Sequence, residues 1–303
     1  MKLSLCIATF NEEKNIHYPL DSVYELVDEV VIVDGGSTDK TVEKAKAYGS
    51  KVKIFIENNP PMFHINKQKA IERAKGEWIL QLDADEALSD ELKHEIKTIV
   101  MLSEAKHLSR MRENNSNKLR DSSASPQNDK AVAYYIPRKN FFLTRFLMKG
   151  GQYPDYTIRL YRNGFARFPC RDVHENVEII IPNSKIKNSL EIGYLHNPIL
   201  HYADPDFSRF LMRWDRYATL EAKLLANNKQ LSISKYQFIS QFLNFFFLKP
   251  IVTFFLMFIR HKGFMDGFPG FIFALFSSLR FWPIYIKWWQ EKHMLSYPER
   301  SGG

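Results

Sequence analysis

The sequence predicts an α/β fold: a mostly parallel sheet flanked by helices, followed by an aromatic-rich helical extension. Three observations carry this expectation. Short apolar, β-branched runs alternate with helical stretches through the first hundred positions, the pattern of βαβ units. Several of those runs open directly into acidic residues. Beyond residue 204 the alternation stops, and long apolar stretches rich in Phe and Trp take over.

The elements follow in order. Leu3-Ser4-Leu5-Cys6-Ile7-Ala8 reads as a buried strand, followed by Thr9-Phe10-Asn11-Glu12-Glu13 and a helical pattern. Residues 30–33 give a second strand, ending in Asp34-Gly35-Gly36-Ser37-Thr38-Asp39. The glycines allow a tight turn there, and Ser37 or Thr38 is expected to cap the next helix. Residues 52–56 form a third strand, 65–74 a helix, and 78–82 a fourth strand that opens into Asp83-Ala84-Asp85. Ser89 starts the helix after it.

Open α/β sheets bind ligands beyond the carboxyl ends of their strands. Glu12, Asp34, Asp83 and Asp85 are therefore expected to converge on one cleft. Carboxylates as near as Asp83 and Asp85 repel each other unless a cation shares them. A divalent ion, Mg²⁺ or Mn²⁺, held by one or two carboxylates and phosphate oxygens fits that position. Blander readings stay open for each cluster: Asp34 as a turn residue, Glu12 as a first-turn acid favoured by the helix dipole, and Asp83 or Asp85 as a helix cap. A second D-x-D, Asp204-Pro205-Asp206, follows no comparable strand. No G-x-G-x-x-G follows the first strand, which argues against a dinucleotide fold.

Thr9-Phe10-Asn11-Glu12-Glu13, Val33-Asp34-Gly35-Gly36-Ser37-Thr38-Asp39 and Leu82-Asp83-Ala84-Asp85-Glu86 together resemble the three signatures of family 2 glycosyltransferases. They look most like bacterial enzymes that add sugars to lipopolysaccharide core or other surface glycans. The resemblance is strong over residues 1–100 and more diffuse over 131–225. It implies the GT-A nucleotide-diphospho-sugar transferase fold. By position it implies Thr9 and Glu12 at the nucleoside pocket, Asp34 at the nucleobase, Asp83 at the ribose, and Asp85 holding the metal on the donor diphosphate. Many members place a basic residue followed by Asn ahead of the fourth strand. This chain has Lys67-Gln68, so the resemblance extends to a donor contact by Lys67 but not by Gln68.

Residues 103–130 are polar and rich in turn formers, too poor in apolar surface to offset their ordering entropy, and are expected to form a mobile insertion with a charged helical tip over 105–112. A strand at 131–136, closed by Pro137, resumes the domain. Tyr153-Pro154-Asp155-Tyr156 then leads into a strand at 157–162, and Val173-His174-Glu175 into 177–181. These too resemble the surface-glycan branch. Inverting sugar transfer needs a base for the acceptor hydroxyl, and a carboxylate beside a cleft can serve. Glu175 is the expected base, with Asp172 and Asp155 as alternatives. His174 could be the base itself, a metal or diphosphate contact, or a core histidine. His201 either approaches the diphosphate or is structural.

The expected division is a catalytic domain over 1–203 and a helical region over 204–303. Residues 206–227 carry Phe207, Phe210, Leu211, Trp214, Tyr217, Leu220 and Leu224 at helical spacing, a helix expected to pack on the sheet. Residues 240–303 hold 18 of the 43 aromatic residues, with seven Lys/Arg against three Asp/Glu, within a chain of net charge +8. Two apolar stretches, 242–259 and 268–289, are interrupted by Lys249-Pro250 and by Arg280 and Pro283. A charge at mid-bilayer is costly, so these stretches are expected to lie in a membrane interface rather than span it. Ordinary core helices are the alternative. A nucleic-acid surface is disfavoured, because the aromatics come with apolar runs instead of a basic groove. Two cysteines do not suggest a disulfide framework, and only Met1 and Lys2 precede the first strand, which points to the cytoplasm.

The sequence therefore predicts an inverting, metal-dependent transferase that takes a nucleotide-diphospho-sugar donor. Its acceptor is expected to be lipid-linked or a surface glycan, and its site peripheral at the cytoplasmic face of a membrane. A polyprenyl-phosphate glycosyltransferase, or a degenerate sugar-nucleotide-binding membrane protein, is the alternative.

Overall fold

The first strand, β1 (Leu3–Thr9), is buried at nearly every position, which an apolar run achieves only inside a sheet covered on both faces. In the computed structural model, residues 2–113, 131–170, 176–180, 191–227 and 235–294 are described. β2 (Glu29–Asp34), β3 (Val52–Ile56) and β4 (Trp78–Gln81) join β1 in a parallel sheet. α1 (His17–Val23), α2 (Thr41–Lys46) and α3 (His64–Arg73) connect them. Alternate side chains of β1 feed two cores. Leu3, Leu5 and Ile7 pack with Leu20, Leu80 and Leu92 on one face, and Cys6 packs with Val31, Ala70, Ile79 and Tyr161 on the other.

After β4 the chain makes β5 (Glu86–Leu88), α4 (Asp90–Glu113), β6 (Ala131–Phe142) and β7 (Arg145–Phe146). β8 (Asp155–Arg162), β9 (Ala166–Arg167), β10 (Glu178–Ile179), β11 (Glu191–Tyr194) and β12 (Ile199–Asp204) follow. Among the described residues the main sheet runs β3-β2-β1-β4-β8-β6-β12-β5, with β7 and β11 paired to β6. β8 is antiparallel to β4, and β12 to β5. Parallel pairing with β1 thus gives way to antiparallel pairing with β8 at β4, which precedes Asp83.

Contacts divide the chain into two compact units, Met1–Arg138 with Asp155–His201, and Lys139–Pro154 with Tyr202–Gly303. In the second unit come α5 (Phe207–Asn227), α6 (Lys235–Leu243), a π-helical turn (Asn244–Leu248), α7 (Lys249–Phe255) and a second π turn (Leu256–Arg260). A 3₁₀ turn (Gly263–Asp266), α8 (Gly267–Leu279) and α9 (Phe281–Met294) complete it. Phe142, Leu147 and Phe210 form one core with Ile272, Phe273 and Phe276. Ala222, Tyr285 and Trp288 form another with Phe245 and Phe246. The two apolar helices turn back on each other at Gly263 and Gly270, where a Cβ on Gly270 would strike the Gly263 carbonyl.

Four local expectations change. The strand from residue 131 does not stop at Pro137 but pairs on through Arg138, opposite Asp155, and runs to Phe142. An antiparallel neighbour needs a residue's N–H only at every second position, so one missing donor is tolerated. Ser37 and Thr38 do not cap α2; Asp39 Oδ1 accepts the Thr41 N–H instead, at 3.0 Å. The helix after Ser89 runs unbroken to Glu113, so the helical tip expected over 105–112 is present but joined to that helix; 114–130 lie outside the described residues. Finally, the start of the expected stripe does pack on the sheet, Phe210 against Phe142 of β6. Further on, α5 packs instead against α9, with Ala222 against Tyr285 and Trp288, Ala218 buried, and Tyr217 and Leu224 exposed. Small residues let two helices approach closely, and a count of large apolar positions overlooks them.

Candidate active site

Parallel pairing of β2, β1 and β4 sets their carboxyl ends along one sheet edge, which brings Thr9, Glu12, Asp34, Asp83 and Asp85 to that edge. The first two loops there are laced together. Asp34 is fully buried. Its Oδ1 accepts the hydroxyls of Thr9 (2.8 Å) and Ser37 (2.5 Å), and its Oδ2 the N–H groups of Gly36 (3.0 Å) and Ser37 (2.7 Å). Asn11, at φ 56°, adopts the left-handed conformation that Asn tolerates better than most residues. Its N–H donates to Ser37 Oγ and its Oδ1 accepts the Thr38 N–H, both at 2.8 Å. The Glu12 N–H donates to Thr41 Oγ1 (2.7 Å), and its carboxylate accepts Asn15 Nδ2 (2.6 Å). Part of what reads as a ligand motif is therefore the scaffold of its own turn.

The third loop holds a different arrangement. Lys67, buried on α3, pairs with Asp83 Oδ1. Arg159, buried on β8, places Nη2 2.9 Å from Asp83 Oδ2 and 2.7 Å from Glu86 Oε1, while its Nη1 donates to Gln81 Oε1. Arg138 approaches the same Glu86 oxygen at 3.3 Å and donates from Nε (3.0 Å) and Nη2 (2.7 Å) to Asp155 Oδ2. The register explains the geometry, since Leu80 pairs with Leu160 and Arg138 with Asp155 across antiparallel strands. Three cations and three carboxylates alternate from Lys67 to Asp155. Burial alone would raise the Asp83 carboxyl, but the Arg159 guanidinium and Lys67 ammonium override it and hold it well below the usual carboxylate range. Burial pushes the Lys67 ammonium down, with Asp83 opposing.

This network corrects one expectation. Asp83 and Asp85 need no shared cation to coexist, because protein side chains already neutralise Asp83. Arg159, Arg138 and Glu86 are the residues that sequence reasoning missed. No local signal marks them, since Arg159 meets Asp83 from 76 residues away.

Asp85 lies beyond β4, half-buried, with Oδ1 3.6 Å from His201 Nε2. His201 reaches it because β12 pairs with β5 and sets His201 opposite Glu86. Among the described residues no group of three or more His, Cys, Asp or Glu could hold a metal unaided. The Asp85 carboxylate alone still suits Mg²⁺ or Mn²⁺ when phosphate oxygens and water complete the shell, the usual condition for Mg²⁺; an imidazole is not among the ligands these hard ions favour. Gln68 is spoken for: its Oε1 accepts the Phe168 N–H (2.8 Å) and its Nε2 donates to Glu72 (2.9 Å). The second D-x-D is structural, with Asp204 paired to Arg213 (3.0 Å) and Asp206 accepting the Arg209 N–H at the start of α5 (2.8 Å). Asp172, His174 and Glu175 lie outside the described residues.

Residues 4–163 match the family model described as glycosyl transferase family 2. An uncharacterized glycosyltransferase of Rickettsia typhi (strain ATCC VR-144 / Wilmington) is 28% identical over 286 residues, covering 92% of this chain and 84% of that protein. Among solved structures, the mannosyltransferase PcManGT from Pyrobaculum calidifontis in complex with GDP-Man and Mn²⁺ is 13% identical, covering 96% of this chain and 88% of that one, with a TM-score of 0.48. S. aureus TarS in complex with UDP-GlcNAc is 18% identical, covering 99% and 93%, with a TM-score of 0.39.

Proposed function

The chain belongs to glycosyl transferase family 2, and on that premise we propose an inverting, metal-dependent enzyme that moves a sugar from a nucleotide-diphospho-sugar to a lipid-linked or surface-glycan acceptor of the lipopolysaccharide-core kind. The observation that carries the reading is Asp85. It stands at the carboxyl end of β4 beside His201, next to a carboxylate whose own charge is already balanced.

Asp34, Thr9 and Glu12 shape the turn that takes the nucleoside, and Asp83 meets the ribose from a position fixed by Lys67 and Arg159. Asp85, with His201 beside it, would hold the divalent ion on the donor diphosphate. When bound, that ion supplies charge neutralisation worth several kcal/mol to the departing diphosphate. Glu175 takes the proton of the acceptor hydroxyl as that oxygen bonds to the anomeric carbon. The bond from the same carbon to the diphosphate breaks, and the nucleoside diphosphate leaves. Asp155 is the weaker choice for that base, because Arg138 makes two hydrogen bonds to one of its oxygens. Two helices among the described residues, Phe238–Arg260 and Gly263–Lys292, are long and apolar enough to cross a membrane. They fit an enzyme that works peripherally at the cytoplasmic face, where a lipid-borne acceptor lies.

A panel of nucleotide sugars, screened for binding and then for transfer, identifies the donor. With that donor, Asp85→Ala abolishes turnover and wild type is lost to excess chelator. Glu175→Gln lowers turnover by about 10²–10⁴ with donor affinity retained. Full activity of Asp85→Ala would remove the metal assignment. Lost donor binding in Glu175→Gln would make that residue a donor contact.

A further inference from the structure

The helix formed by Phe238–Arg260 is amphipathic in the wrong sense for water. From Phe242 to Ile259 its exposed positions are Phe242, Leu243, Phe247, Leu248, Ile251, Val252, Phe255, Leu256 and Ile259, every one apolar and each at least about one-third exposed. They recur about every four residues, wider than the 3.6 of an α-helix. The two π turns, Asn244–Leu248 and Leu256–Arg260, widen the local repeat, so the stripe stays on one face instead of drifting around the helix.

The charge that interrupts this helix lies off the stripe. Lys249 is half-buried, its Nζ 3.7 Å from the centroid of the Phe245 ring and 5.4 Å from that of Phe281. In the neighbouring helix Arg280 reaches Glu221 of α5 at 3.7 Å. The apolar surface continues through Phe264, Met265 and Phe268, the last 70% exposed. Between the two stretches lie Arg260, His261 and Lys262, all exposed. Asp266, in the same turn, is buried and accepts the N–H groups of Met148 (3.0 Å) and Lys149 (2.7 Å), so it leaves the outer charge basic.

We infer that this stripe is a lipid-facing surface that lies along an anionic membrane, with Leu243 to Ile259 in the acyl boundary and Arg260 and Lys262 among the headgroups. The inference deepens the reading of a membrane-borne acceptor and rests on it for its biological purpose, though not for its physics. Immersion is one-sided because the far side of the hairpin is occupied. α5 packs there, bonded through Trp214 to the Phe276 carbonyl (2.8 Å) and through Asp215 to Lys287 (2.5 Å). α5 also carries Arg209, Arg213 and Arg216, which the hydrocarbon would not accept. A spanning arrangement would take that helix into the bilayer, whereas one lying in the interface leaves it in water.

The test is flotation of the full-length protein with vesicles of phosphatidylglycerol or of phosphatidylcholine, without any sugar nucleotide. Binding to the anionic vesicles, weakened by salt and reversed by alkaline carbonate, is the expected result. Phe247→Gln with Phe255→Gln should reduce binding at least ten-fold. Arg260→Gln with Lys262→Gln should reduce it about five-fold per charge on anionic vesicles only. Both variants should keep the wild-type circular dichroism and unfolding midpoint. Resistance to carbonate would mean spanning helices and overturn the inference. So would a protein that ignores both vesicles, or a dimer that the phenylalanine variant converts to monomer, in which a second copy covers the stripe. No outcome requires turnover, so a failure here is separate from a failure of the proposed reaction.

Discussion

The two units treat charge and apolar surface in opposite ways. In the first, Lys67, Arg159 and Glu86 are buried, and each faces an opposite charge within the sheet or on the helix packed against it. In the second, Phe247, Phe255 and Phe268 face outward while Lys249 is tucked against aromatic rings. Buried ion pairs seldom out-compete apolar packing of similar volume, and an exposed apolar face loses the hydrophobic gain of burial. Neither feature therefore helps the chain fold. Where a protein retains an arrangement that costs stability, the reason lies in what the arrangement holds or meets. In the first unit that is the position of the Asp83–Glu86 loop, and in the second a surface that water does not suit.

The largest effect should come from breaking the buried network. Arg159→Met removes a cation that bonds to both Asp83 and Glu86 and leaves two carboxylates with fewer partners. Loss of a partner from a buried ionic group costs about 3–5 kcal/mol, read as a fall in urea midpoint. A loss below about 1 kcal/mol would mean that water already solvates the loop, and the contrast between the units would weaken.

Acid sharpens the same point. The Asp83 carboxyl is lowered when folded: burial works against this, and Arg159 and Lys67 prevail. An unfolded Asp takes up its proton near pH 4, so on the acid side of that value the unfolded chain holds more protons than the folded one. The stabilisation is thus complete above about pH 5 and drains away as pH falls below about 4. Asp83→Asn should flatten that part of the stability profile while lowering stability at neutral pH. A variant profile parallel to wild type would show that other carboxylates govern acid unfolding.

Much of the first unit was legible because each strand is a contiguous apolar run and each loop a local motif. β3 falls at 52–56 as expected, and Asp34, Asp83 and Asp85 reach one edge because parallel order fixes which ends meet. Arg159 was not legible. Its partner Asp83 is 76 residues away, and nothing local marks an arginine in a β-prone segment as an ion-pair partner rather than an exposed one. Lys67 stands out only through the family resemblance, and its burial against Asp83 depends on how α3 sits over β4. In the second unit, the existence of apolar helices was plain and their orientation was not. Between Phe242 and Ile259 the polar positions are few, and the folded unit sets Asn244, Lys249 and Thr253 off the exposed face.

The smallest effect tests the second unit from the side of folding. Phe142 is 1% exposed, ringed by Phe210 and Phe273, and Phe142→Ala should cost about 3–5 kcal/mol through lost contacts and the cavity left behind. Phe255 has the same side chain but is 57% exposed. Phe255→Gln in detergent-free buffer should change the unfolding free energy by no more than about 0.5 kcal/mol, because more than half of the side chain stays in water when the chain folds. It should also raise solubility, since one large apolar group leaves an exposed patch. A loss of several kcal/mol would place Phe255 in a core and make the outward stripe an internal surface. A small loss in water with a large loss of vesicle binding would leave only one role for these side chains, to meet lipid.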